Sequence, residues 1–154
     1  MDFEAVKRSL EAAAEETLPS PSLDILPSKF YDAFVLHGLR VDLVEPGRLL
    51  CSMTVPPRLL NTGNFLHGGA TASLVDLVGS AAFYTAGART KGAPLEMSIA
   101  YLDAAFVHED IEIEVKILRA GKAVGVATVE LRKKSGKIIA HARYTKYLAV
   151  PSNL

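Results

Sequence analysis

The residues from Ala70 to Ala82, ATASLVDLVGSAA, are small, apolar or hydroxylated with one exception, the carboxylate of Asp76. A helix of that composition is apolar nearly all round, so it has to be buried by chain wrapped about it. The sequence on either side supplies the wrapping. LRVDLVE and RLLCSMTV flank the turn residues Pro46 and Gly47 and predict a hairpin ahead of the helix. Beyond the helix, LEMSIAYL reads as a strand, and IEIEVKIL alternates Ile111, Ile113, Val115 and Ile117 with charged residues. The turns RAGK and KSGK then set off AVGVATVEL and IIAHARYTKYL. Consecutive strands joined by short turns pair antiparallel. The expected fold is α+β, an antiparallel sheet wrapped around one long central helix, over residues 39–150.

Residues 1–38 read as an N-terminal helical extension and linker. Phe3, Val6, Leu10 and Ala13 recur at helical spacing with Glu4, Lys7, Arg8, Glu11 and Glu15 opposite them. LPSPSLDILPS is too rich in proline and serine for either regular element, and a short helix is expected from Ser28 through Leu36, stopped near Gly38.

Charge and composition narrow the function classes. In 154 residues, 17 basic side chains balance 17 acidic ones, so no net field draws in nucleic acid or an anionic membrane. Any anionic ligand must be held by local groups. Asp2, Glu4 and the lack of a long apolar run argue against a secretory signal and against membrane insertion. A hydrophobic content of 49% is high for a small monomer and leads us to expect an oligomer. Cys51, the single cysteine, lies in an alternating apolar run, where a buried inert thiol is expected, and its solitude suits a reducing compartment. The terminal Ser152, Asn153 and Leu154 vary a peroxisomal address, with an ordinary frayed terminus the alternative and better-supported reading, so the expected location is cytoplasmic or the peroxisomal matrix.

On a helical wheel, Leu77, Ala70, Ala81, Leu74, Val78, Ala82 and Val75 fill one broad side, and Asp76 shares the other with Ala72, Ser73, Gly79, Ser80 and Phe83. Three readings of Asp76 stand. It is the solvated residue of an amphipathic helix, though that face has no Lys or Glu; or a buried carboxylate tied to Ser73 or Ser80; or a base or nucleophile in a cleft. At the start of the same helix, Gly68 and Gly69 offer unobstructed amides at the positive end of the dipole, a setting for an oxyanion, with a flexible turn as the alternative. His67 beside them is read as a structural histidine or a catalytic one. Gly68 and Asp76 are eight residues apart, about 12 Å along one axis. They cannot flank one reacting carbon. If both serve one reaction, Asp76 must meet the glycine end of a second chain's helix across a two-fold axis, which gives two equivalent sites per dimer.

The run NTGNFLHGGATASLVD, followed by strands and RAGK, resembles the hotdog-fold thioesterases, specifically the small acyl-CoA thioesterases grouped with the phenylacetate-pathway and mammalian type 13 enzymes. The resemblance covers roughly Val41 to Leu148, with the spacing Asn-x(5)-His-Gly-Gly-x(6)-Asp at its centre. It implies hydrolysis of an acyl-CoA thioester, fatty acyl first and aryl-acyl second, to free acid and CoA. The sites it implies lie between subunits of a homodimer that pairs into a dimer of dimers. Asp76 would be the general base or the nucleophile, the Gly68 amide of the other subunit would polarise the carbonyl, and Asn61 and His67 would order the thioester or the water. Gly69, Tyr101, Arg119, Gly121 and Lys122 would contact substrate or CoA, with a plain solvated hairpin the alternative for the RAGK residues. No metal and no cofactor are implied, since CoA is part of substrate and product. Related enzymes often carry a Ser or Thr where this chain has Pro94, and Ser98 lies four residues on. The competing functions are a hotdog enoyl-CoA hydratase or dehydratase and a non-catalytic acyl-CoA-binding sensor.

Overall fold

The computed structural model describes residues 3–15, 25–28 and 30–149. The expectation for Ser152, Asn153 and Leu154 therefore falls outside the described residues. The chain divides between Phe34 and Val35 into two compact units. In the first, α1 spans Phe3–Glu15, with Lys7 and Glu11 paired at 3.9 Å one turn apart. The short α2, Phe30–Leu36, runs across this division; it begins after a turn closed by the Phe30 amide on the Pro27 carbonyl, and Phe30 and Phe34 stack with centroids 5.6 Å apart. Ser28, the expected first residue of this helix, lies in that turn.

The second unit holds β1 (Arg40–Glu45), β2 (Arg48–Thr54), a single 3-10 turn at Pro57–Leu59, α3 (Gly68–Thr85), β3 (Ala93–Tyr101), β4 (Asp110–Ala120), β5 (Val124–Lys133) and β6 (Ile138–Tyr147). The strands form one six-stranded sheet in the order β1-β2-β4-β5-β6-β3, every pairing antiparallel. The sheet-around-helix expectation holds. One pairing differs. β3 and β4 follow one another in the chain yet are not neighbours, because residues 102–109 cross the end of the sheet instead of turning back. That crossing is tied down along its course: Leu102 and Asp103 donate to the Ile139 carbonyl, Leu66 donates to Ala105, and His108 donates to Val55. β3 thereby reaches the far edge beside β6, with its other side unpaired among the described residues.

The inward phase of each strand builds the core by register. Leu49, Cys51 and Met53 of β2 stand opposite Val115, Ile113 and Ile111, and the last two lie opposite Leu131 and Lys133 of β5. Val129 and Ala127 then meet Ala142 and Tyr144 of β6. Small residues make room for the helix. A Cβ at Gly125 would stand 2.5 Å from the Phe83 ring and 2.6 Å from Leu148, so β5 can pass under α3 only with glycine there. The helix is anchored at its far end by the Gly47 amide, which donates to Thr85 Oγ1 at 3.0 Å.

The arc that α3 buries is rotated from the wheel expectation. Leu74, Val75, Val78 and Ala82 are buried as expected, but so are Gly79, Ser80 and Phe83, while Leu77 is half-buried and Ala81 exposed. The reason is a large side chain on β6. The ring of Tyr144 packs so closely over Gly79 that a Cβ there would come within 2.9 Å of it, and the missing Cβ turns this side of the helix toward the sheet.

On the outer face, Glu114 accepts from Arg48 at 2.6 Å and from Arg132 at 3.2 Å. Burial alone would raise the Glu114 pKa; the two guanidinium groups outweigh it and hold the carboxyl below its ordinary 4.5. A carboxylate depressed in the folded state stabilises fully above its unfolded pKa and loses that contribution as pH falls through the folded one. Thermal melts should therefore show Tm level well above the ordinary 4.5 and falling as pH drops below it. A Tm that stays level down to about pH 3 would contradict this.

Candidate active site

Two groups of side chains lie along α3. At its N-terminus His67 is the N-cap, with its Nδ1 accepting the Gly69 amide at 2.8 Å and its own amide donating to the Leu59 carbonyl at 2.8 Å. An acceptor Nδ1 places the ring proton on Nε2. Gly69's amide is thus taken, whereas that of Gly68 has no acceptor among the described residues and remains at the positive end of the helix. Asn61 sits in the loop before the helix, where its Oδ1 accepts from Gly63 at 2.9 Å and Phe65 at 3.2 Å. That leaves its amide NH2 as the group it can offer outward.

Tyr101 belongs to this end too. Its hydroxyl donates to the Gly68 carbonyl at 2.9 Å, and its ring lines a cavity of about 310 Å³ with Phe65, Leu66, Gly68, Thr71 and Ile139. The family resemblance groups Tyr101 with Arg119, Gly121 and Lys122 of the RAGK hairpin as substrate or CoA contacts. The sheet order separates them, because β5 and β6 lie between β4 and β3.

Asp76 is half-buried in the middle of α3. Its Oδ1 accepts from the Tyr144 hydroxyl and from Ser80 Oγ at 3.3 Å, and the two hydroxyls lie 3.2 Å from one another. Lys146, 2% exposed, donates from Nζ to Ser80 Oγ at 2.6 Å. The solvated reading of Asp76 does not describe this arrangement. Ser80, one of the two serines considered, does bond it, and Ser73 donates to the Gly69 carbonyl at 2.8 Å. Burial lowers the Lys146 pKa and the Asp76 charge pulls it partly back, while burial and the Asp76 bond raise that of Tyr144, keeping the phenol protonated.

Tyr144 and Lys146 were missed by the sequence reading, although the signal was present. In HARYTKYL, Ala142, Tyr144, Lys146 and Leu148 occupy the buried phase of β6, and a lysine in that phase is out of place for a plain core strand. Pro94 is the direct cross-strand partner of Lys146, so the strand lacking a hydroxyl there lies beside the strand that carries the polar groups. Ser98 pairs with Arg143 on the exposed face, away from α3, and supplies nothing to Asp76.

At the C-terminal end of α3 a second cavity, of about 250 Å³, is lined by Gly87, Arg89, Gly121, Lys122 and Leu148 among others. Gly121 and Lys122 were expected at a CoA entrance; Arg89 joins them from the loop after the helix. Arg119, the remaining expected cation, is exposed on β4 beside Gly121 but does not line this cavity. A helix C-terminus carries the negative end of the dipole, so attraction for an anion here must come from the cationic side chains.

Cys51 takes no part in either group. It is 1% exposed, and burial, helped by the Asp42 charge, pushes its pKa up to about 11. Native protein at about pH 8 should react with a thiol-specific disulfide reagent at least tenfold more slowly than unfolded protein, and stay active throughout. Rapid labelling with loss of activity would make Cys51 a functional thiol after all.

Residues 63–140, which hold both ends of α3, the strands β3, β4 and β5 and the start of β6, match the model of the thioesterase superfamily. The chain belongs to that superfamily. Human acyl-coenzyme A thioesterase 13 is 38% identical over 115 residues, 74% of this chain and 82% of the human protein. The crystal structure of zebra fish thioesterase superfamily member 2 superposes with a TM-score of 0.72 at 32% identity, covering 97% of this chain and 99% of the other. The Escherichia coli PaaI protein of the phenylacetic acid degradation operon, 23% identical, shares the fold with a TM-score of 0.67 over 75% of this chain and 88% of its own. The family resemblance, the hotdog fold and the assignment as a thioester hydrolase are borne out by these likenesses.

Proposed function

We propose that the protein hydrolyses acyl-CoA thioesters at sites shared between two protomers, with Asp76 as general base and the Gly68 amide of a second protomer polarising the carbonyl. The observation that carries this reading is the separation of the two groups: Asp76 and the open Gly68 amide lie on one rigid helix eight residues apart, about 12 Å. Neither can complete the other's site. The β3 edge supports a second protomer, being unpaired among the described residues and carrying exposed Leu95, Tyr101 and, just beyond it, Leu102. The uncovered strip of α3, with Leu77, Ala81 and Tyr84, runs alongside Asp76 and is apolar enough to pack on its own copy.

In this reading, water placed by Asp76 loses a proton to the carboxylate as its oxygen bonds to the acyl carbon. The carbonyl oxygen, taking negative charge, is held by the Gly68 N–H, with the Asn61 amide and His67 Nε2 at the same end of the helix. The C–S bond then breaks, the sulfur leaves as CoA and recovers the proton, and the products are the free acid and CoA-SH. The cavity beside Gly68 and Tyr101, with Phe65, Leu66 and Ile139 in its wall, suits an apolar acyl group; fatty acyl chains are the first choice and aryl-acetyl groups the second. Arg89 and Lys122 suit the phosphates of CoA.

Free-thiol detection with a panel of acyl-CoAs of rising chain length, beside an aryl-acetyl-CoA, tests the reading. At least one substrate should release one thiol per acid formed. Absence of thiol release across the panel, with hydration of an enoyl-CoA or with binding alone, would replace it by the lyase or the sensor.

A further inference from the structure

Resting on Asp76 as the catalytic carboxylate, we propose that Tyr144, Ser80 and Lys146 form a buried chain of positioning residues that fixes Oδ1 of Asp76 and leaves Oδ2 to face water and substrate.

The geometry gives the chain a direction. The Lys146 ammonium can only donate, so at 2.6 Å it occupies a lone pair of Ser80 Oγ. The Ser80 proton is thereby turned away from Lys146 and toward its two other neighbours, Asp76 Oδ1 and the Tyr144 hydroxyl. Tyr144 in turn donates to Oδ1. One carboxylate oxygen is held by two hydroxyls from different elements, α3 and β6, while no bond is made to Oδ2 among the described residues. A carboxylate held in this way keeps one rotamer, and rotamer error at a general base is expensive in rate.

The chain is costly for packing alone. An ammonium 2% exposed with a single hydrogen-bond acceptor among the described residues is a poor core element, and an apolar side chain of the same volume would suit the core better. What offsets the cost is the Asp76 charge on the far side of Ser80. The packing around the chain is equally specific. Tyr144 is fully buried, and its ring has room only because Gly79 lacks a Cβ. β3 contributes nothing polar at this point, since Pro94 is the cross-strand neighbour of Lys146, and β5 presents Gly125. Beyond Ser80 on its own helix, the polar support for Asp76 therefore comes from β6, sixty-eight residues along the chain from it in the case of Tyr144.

Charged and titratable groups facing Lys146 are Asp76 from α3, Tyr144 on its own strand and Lys91 from the α3–β3 connection. Burial lowers the Lys146 pKa from 10.5, Asp76 raises it and Lys91 lowers it, with a net fall. As pH rises, Lys146 therefore loses its proton before an ordinary lysine would, and the direction of the chain is lost with it.

The test compares Tyr144→Phe, Ser80→Ala and Lys146→Met with wild type and Asp76→Asn, by steady-state thiol release on the best acyl-CoA, with a thermal melt for each. Tyr144→Phe keeps the ring over Gly79 and leaves the Lys146–Ser80 bond in place, so folding is retained in that variant; Ser80→Ala takes away the Lys146 acceptor and is read only at temperatures below its melt. Each should lower kcat about tenfold or more with KM within about twofold. Wild-type kcat should fall at alkaline pH, after subtraction of spontaneous hydrolysis, toward the level of Lys146→Met, whose own profile should be flat there. Wild-type kcat in both Tyr144→Phe and Ser80→Ala, with Asp76→Asn inactive, overturns the positioning chain and leaves the catalytic reading intact. A raised KM at unchanged kcat overturns it as well, by making these residues substrate contacts. Full turnover by Asp76→Asn overturns both, because there is then no catalytic carboxylate to position.

Discussion

Asp76→Asn is expected to lower kcat for thioester hydrolysis by about 10²- to 10⁴-fold while leaving KM within about twofold of wild type. The substitution is isosteric and keeps an acceptor at the position of Oδ1, so the Tyr144 hydroxyl and Ser80 Oγ retain a partner. What it removes is the negative charge and the basic oxygen. Because the same charge faces the buried Lys146, a modest fall in Tm should accompany the loss of activity. The two effects separate the competing accounts of this carboxylate. If Asp76 only neutralises a buried lysine, Asp76→Asn loses stability and keeps its kcat. If it is the base, kcat collapses in protein that is still folded at the assay temperature. Measurement of thiol release beside a thermal melt distinguishes these outcomes, and a kcat within about threefold of wild type would remove Asp76 from the chemistry.

The parts of this site that could be read in the sequence are those whose geometry is local. His67, Gly68 and Asp76 lie on one helix and its cap, and helical spacing alone sets how far apart they must be. Asn61 was legible for the same reason, being a few residues upstream. The strands were legible from their period of two, and their buried phases carry the core as alternation requires. What was hidden depends on which strand lies beside which. Placing β3 next to β6 requires knowing that residues 102–109 cross the sheet end, a matter of long-range hydrogen bonds to Val55, Leu66 and Ile139. With β3 misplaced, Tyr101 was grouped with Arg119 and Lys122 instead of with Gly68. The wheel misjudged Gly79 and Ala81 because it treats a helix as a cylinder in a uniform medium. The actual surroundings include one large ring, Tyr144, whose fit over Gly79 turns that side of the helix inward. Lys146 carried the one overlooked signal, a cation in the buried phase of a strand, and its meaning appears only once Ser80 and Asp76 stand beside it.

Mixing two crippled variants, Asp76→Asn and Gly68→Pro, is expected to restore about a quarter of wild-type activity from stocks that are each nearly inactive. Gly68→Pro is the cleanest way to delete the proposed oxyanion donor. Proline at the first helical position is well tolerated, since its missing N–H has no intrahelical partner there. His67, at φ −61° and ψ 135°, already has the extended conformation that a residue before proline prefers. Alone, the variant should lose about 10²- to 10³-fold in kcat. Gly68→Ala, whose Cβ would make an ordinary 3.5 Å contact with the Tyr101 ring, keeps the amide and should remain near wild type. When the two lesions are refolded together from denaturant, half of the dimers are mixed if pairing is random. In each mixed dimer one site combines the intact Asp76 of the Gly68→Pro chain with the intact Gly68 amide of the Asp76→Asn chain, and the other site carries both lesions. Half of the sites in half of the dimers gives the quarter. A site confined to one protomer predicts no recovery, because every chain in the mixture lacks one of the two groups, and activity would stay at the level of the separate stocks. Recovery can arise only if the Asp76 of one chain acts on a carbonyl held by the helix end of another.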